Sequence, residues 1–122
     1  MIRGIRGAIT VNENDANEMV ENTKILLDEM IEKNEIVPEN VAQVLISVTD
    51  DLDAVFPAKA MRLLDGWTYV PVTCMREIPV VNSLRKCIRI LMTVETDIPQ
   101  DQIKHIYLEG ATVLRPDLTI NQ

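Results

Sequence analysis

Over residues 86–96 the sequence alternates so regularly that an extended strand with one wholly apolar face is the conformation it fits. Ile88, Ile90, Met92 and Val94 fall on one side, and Cys87, Arg89, Leu91 and Thr93 fall on the other. Side chains of a strand point alternately to its two faces, so the first set calls for a covering layer. The second set places a guanidinium in the middle of an apolar run, where a buried charge needs a partner. An internal carboxylate is one such partner, with Glu77 available, and a bound anion is the other. The pattern leaves both open, because charges of this kind mark structural and functional sites alike.

One helix is available to cover such a sheet. Residues 16–33 carry Ala16, Met19, Val20, Thr23, Leu27, Met30 and Ile31 as a stripe at helical spacing. Asp15 can cap it and Glu18 completes a capping-box-like pattern, while Asn34 and Pro38 mark its end. Further strands are expected over residues 2–11, 41–49, 69–75, 103–109 and 111–114. Pro71 argues for an edge or irregular position, and the apolar 41–49 segment for a central one. Pro57 suits the first position of a short helix over 58–64, and residues 97–102 a turn or single helical turn. With no repeat, low-complexity run or linker, residues 1–122 read as one α+β domain. Its sheet is mixed, with five or six strands, one long helix and short helical turns.

A chain of 122 residues buries roughly two-thirds of its unfolded surface on folding, so it needs no disulfide or metal to be stable. Its net charge of −7 and lack of a basic stripe argue against general nucleic-acid binding. A few focused arginines can still hold a small anion in an acidic protein. No segment approaches the ~20 apolar residues of a membrane helix, and the charged N-terminus does not read as a signal peptide. Cys74 and Cys87 have no CxxC spacing, and the expectation is two free thiols in a reducing cytoplasm.

The residue inventory narrows the chemistry. His105 is the lone histidine, and no spacing around it resembles a zinc site. Ser47 and Ser83 sit in no nucleophile elbow, four glycines form no phosphate loop, and Cys74 has no evident activating base. The acidic run Asp50, Asp51 and Asp53 lacks the spacing of a calcium loop and reads as helix capping and solvation. What remains are arginines, a strand-end glutamate (Glu77) and a strand tyrosine (Tyr107). Arg6 lies between small neighbours, Gly4 and Ala8, that leave room for a ligand or another chain. Lys59 and Arg62 share a helix face. Such a set suits binding and electrostatic stabilisation better than covalent catalysis.

Four segments resemble the AroH-class chorismate mutases: RGIRGAITV at 3–11, AVFPAKAMR at 54–62, GWTYVPVTCMREI at 66–78 and residues 84–118 from LRKCIRILM to LRPDL. The resemblance implies a homotrimeric pseudo-α/β barrel with active sites at subunit interfaces. It also implies rearrangement of chorismate to prephenate without cofactor or metal, within aromatic amino-acid biosynthesis. By matching position, Arg89 would stabilise charge on the breaking ether oxygen. Arg6 would bind a carboxylate beside Tyr107, and Glu77 would accept from the substrate hydroxyl. Thr73, Cys74, Met75 and Arg76 would line or border the pocket. Phe56, Ala58, Lys59, Arg62, Leu114 and Arg115 would form its wall and rim, some across an interface. A trimer of the same fold that only binds a carboxylate metabolite is the alternative.

Overall fold

The computed structural model describes residues 1–115; the end of the family-like segment, residues 116–118, lies outside them. Five strands form one mixed sheet: β1 (Ile2–Thr10), β2 (Val41–Val48), β3 (Val72–Arg76), β4 (Cys87–Glu95) and β5 (Ile106–Leu108), in the order β3-β2-β4-β1-β5. β4 is central and antiparallel to both β1 and β2, whereas each edge strand runs parallel to its inner neighbour. The strand with the strictest alternation is therefore the one with a partner on either side. Pro71 immediately precedes edge strand β3, where a missing N–H costs least.

The single helix α1 (Ala16–Lys33) packs on one face of this sheet. Asp15 accepts from the Glu18 amide at 2.9 Å, and the Glu18 carboxylate reaches back to the Asn12 and Glu13 amides at 2.8 and 2.9 Å. At the other end, Asn34 donates to Met30 and Lys104 carbonyls and accepts from the Lys104 amide, tying the helix terminus to the approach to β5. Met19, Leu26, Leu27 and Met30 meet Ile5, Ile9, Ile46, Ile88, Ile90 and Met92, and none of these is more than 2% exposed. Fully burying one such side chain is worth about 1.5–3 kcal/mol. Leu26 belongs to the buried stripe although the pattern over 16–33 did not include it.

Gly7 lets the helix approach this closely. A Cβ there would sit 2.5 Å from the Met30 sulfur and 3.0 Å from Leu26 Cδ1. Gly7→Ala is expected to displace Met30 and cost about 1–3 kcal/mol, the usual range for overpacking, read as a lowered urea midpoint.

The structure shortens or replaces several expected strands. Residues 69–71 are not part of β3: Val70 donates to the Trp67 carbonyl in a turn that keeps Trp67 in the core and leaves Tyr69 in solvent. Of residues 103–109 only Ile106–Leu108 pair, because Ile103 is buried in the core and Lys104 is held by Asn34. Residues 111–114 are no strand. Glu109 adopts a positive φ of 53° and Glu109–Val113 forms a 3₁₀ segment, which buries Ala111 beneath it. Pro57–Leu63 is also 3₁₀, with Pro57 at its start as expected. The acidic run caps no helix: Asp50 and Asp51 pair with Arg85, Asp51 also accepts from Thr49 and the Lys86 amide, and Asp53 bonds to Asn14. No helix among the described residues is long and apolar enough to cross a membrane.

Candidate active site

The face of the sheet away from α1 carries the chemistry. Cross-strand partners point to the same side, so strand pairing orders this face into rows. Met75, Ser47, Arg89, Ala8 and Tyr107 form one row across all five strands. Thr73, Leu45, Leu91 and Arg6 form the adjacent one. Two arginines from different strands are thus set side by side by register alone.

Beneath them lies a small second core of Ala8, Cys87, Tyr107 and Ala111, flanked by Leu84 and Leu114. Its small residues leave a concave floor. A cavity of about 320 Å³ opens over it, lined by Arg6, Ser47, Met75, Arg89, Tyr107 and, from the turn after β5, Leu114 and Arg115. That volume lies at the lower end of small-ligand sites.

Arg89 and Glu77 meet here, with Nε 3.5 Å from Oε2. The contact lacks hydrogen-bond alignment: Nε is shielded from solvent and has no hydrogen-bond partner. Both side chains remain partly exposed, at 41% and 30%, so the pair contributes little to stability. Ser47 Oγ donates to the same Glu77 oxygen at 3.0 Å. Of the two partners open to Arg89 from its pattern, the internal carboxylate is present, yet it leaves the guanidinium incompletely engaged.

Two titratable groups behind the arginines are held neutral. Burial pushes the Cys87 thiol up, and the neighbouring Arg89 charge offsets this only in part, so it is no thiolate nucleophile at neutral pH. His105 is pulled below its ordinary value of 6.5 by burial first and then by the charges of Arg6 and Arg115. Its Nδ1 accepts the Arg6 backbone N–H at 3.0 Å, which requires an unprotonated nitrogen. A histidine depressed in the folded state takes up protons more readily when unfolded. Its contribution to stability is therefore complete above pH 6.5 and lost as pH falls through the folded value. Melting temperature is expected to drop on acidification below pH 6.5, and His105→Asn, which keeps an acceptor but does not titrate, to lose less over that window.

The other residues singled out in the sequence lie elsewhere. Thr73 shares the arginine face at the β3 edge, but Cys74 points to the helix side, in line with Ile46, Ile90 and Gly7. Phe56, Ala58, Lys59, Arg62 and Cys74 line a separate cavity of about 820 Å³ on that side. Arg76 borders a neighbouring groove with Phe56, Cys74 and Met75. One chain thus brings Arg6, Arg89, Tyr107, Glu77, Leu114 and Arg115 together and separates them from Phe56, Ala58, Lys59 and Arg62 by the thickness of the sheet. Ser47 was missed as a site residue. Its position opposite Arg89 depends on strand register, which periodicity alone does not supply.

A helix-backed mixed sheet whose open face presents paired arginines defines a small α+β binding scaffold for anions. The chain belongs to the chorismate mutase type I family, whose model matches residues 2–118. It is 59% identical over 122 residues to chorismate mutase AroH of Bacillus subtilis, covering all of this chain and 96% of that protein. It is 47% identical to chorismate mutase AroH of Thermus thermophilus over 97% of each chain. A chorismate mutase structure from Clostridium thermocellum superposes with a TM-score of 0.87 at 50% identity, over 90% of this chain and 97% of that one.

Proposed function

We propose that this protein is a chorismate mutase, converting chorismate to prephenate in the cytoplasm as a homotrimer. The observation that carries the reading is Arg89: a partly engaged guanidinium on the central strand, in a cavity shared with Arg6 and Tyr107. The reaction breaks an ether C–O bond and forms a C–C bond within one molecule, with no net proton transfer. An inventory without an activated nucleophile suits it.

Chorismate is a flexible dianion that reacts only when folded into a compact, chair-like form. Arg6 binds one carboxylate, with Tyr107 donating nearby. Arg89 meets the ether oxygen as negative charge grows there, and Glu77 accepts from the ring hydroxyl. Planar guanidinium forks supply direction as well as charge. Preorganised positive charge lowers the barrier most where water is excluded, by about 3–4 kcal/mol per donor. A rigid strand is a suitable mount for it.

The trimer accounts for the separated half-sites. Phe56 is 76% exposed, and on the arginine face Leu91 is 40% exposed. A ring of three copies places the Phe56, Ala58, Lys59, Arg62 and Cys74 surface of one subunit over the arginine face of the next, with Thr73, Met75 and Arg76 along the shared edge. Light scattering should report three chains; an active monomer excludes this arrangement. Loss of chorismate ultraviolet absorbance on adding purified protein tests the activity itself. A rate no faster than the spontaneous background leaves only a carboxylate-binding role.

A further inference from the structure

We infer that Ser47 is a positioning residue, holding the Glu77 carboxylate so that it does not capture Arg89; this rests on the chorismate mutase reading of the same site. Ser47 is the residue of β2 directly opposite Arg89 in β4, and its side chain lines the arginine cavity. Its hydroxyl donates at 3.0 Å to Glu77 Oε2, the oxygen that lies 3.5 Å from Arg89 Nε. Glu77 follows the last residue of β3. Its amide is fixed by the Val48 carbonyl at 2.8 Å, but its other carboxylate oxygen has only a 3.3 Å contact from the next amide, Ile78. Ser47 is thus the one side-chain donor seen on this carboxylate among the described residues.

The energetic consequence follows from the unaligned Arg89–Glu77 contact. A carboxylate free to rotate closes onto a neighbouring guanidinium as a forked, charge-assisted pair, the stronger arrangement. Such a pair occupies the donors that a substrate oxygen needs. With Oε2 tethered to Ser47, Arg89 Nε stays without a hydrogen bond. Ser47 then acts on the reaction through Glu77 and touches no reacting atom.

Ser47→Ala is expected to lower kcat about tenfold, the worth of a hydrogen bond to a charged group, with a smaller change in KM. Ser47→Thr keeps the hydroxyl and should restore kcat. In a Glu77→Ala background, Ser47→Ala should have no further effect. Independently of turnover, the Arg89 Nε–H proton resonance should move downfield in Ser47→Ala as the ion pair closes, and stay in place in Ser47→Thr. Unchanged kcat in Ser47→Ala, an equal loss without Glu77, or an unmoved Nε–H resonance each overturns the assignment. A wild-type protein that turns over no chorismate defeats the enzymatic reading, while the Nε–H resonance still decides whether Ser47 restrains the pair.

Discussion

Arg89→Lys is expected to fold as the wild type does and to lose kcat on the order of 100- to 1,000-fold, the range for removing one transition-state donor. Lysine keeps the charge but has a single ammonium on a flexible stem, and it cannot address the ether oxygen and a carboxylate together. Because charge develops on that oxygen only as the bond breaks, the loss belongs to kcat rather than KM. Arg6→Ala should show the reverse balance, since its carboxylate contact exists in ground and transition states alike. The fold should survive both changes. Arg89 projects from the face opposite the main core, and its pair with Glu77 is partly exposed. Steady-state kinetics with circular dichroism on the two variants decide the matter. Near-normal kcat in Arg89→Lys would return Arg89 to the role of a structural charge beside Glu77.

The division of this chain into elements was legible where periodicity is strong. The apolar face of residues 86–96, the helix over 16–33 and the edge position implied by Pro71 all depend on local pattern, and the structure has them. Where tertiary contacts override local preference, sequence reasoning overshot. Ala111 to Leu114 is as strand-like as other segments, but Glu109 turns the chain over the sheet and Ala111 fills the second core instead. Through family resemblance the sequence offered candidate site residues, of which the structure brings Arg6, Arg89, Tyr107 and Glu77 together on one face of the sheet. The distribution of the candidates over two faces was not legible, because Thr73 and Cys74 are adjacent in sequence and only β3 pairing sends them to opposite sides. Ser47 shows the same limit: a serine in an apolar strand says nothing until its partner across the sheet is known.

Mixing two inactive variants is expected to regenerate activity. Arg89→Ala disables the arginine face, and Lys59→Glu reverses a charge in the cavity on the other side of the sheet, each leaving the other half intact. If every site joins the arginine face of one subunit to the Lys59 surface of the next, random assembly at equal amounts makes about one-quarter of sites whole by the symmetry of the ring. Each variant alone should stay near background. Unfolding the two together and refolding them, then assaying chorismate loss, distinguishes this from sites built within one chain. In that case the mixture would show only the mean of two inactive proteins.

The pairing of β1 also carries a consequence for synthesis. This strand is made well before its sheet partners, residues 87–95 and 106–108. Contacts this distant in sequence form late and slowly. Arg6 leaves the ribosome long before its neighbours Tyr107 and His105 are made. During translation the backbone edges of β1 must therefore wait unpaired by their own strand partners. A pause in elongation before residue 87 would lengthen that exposure, and with it the opportunity for chaperones to bind and for nascent chains to aggregate.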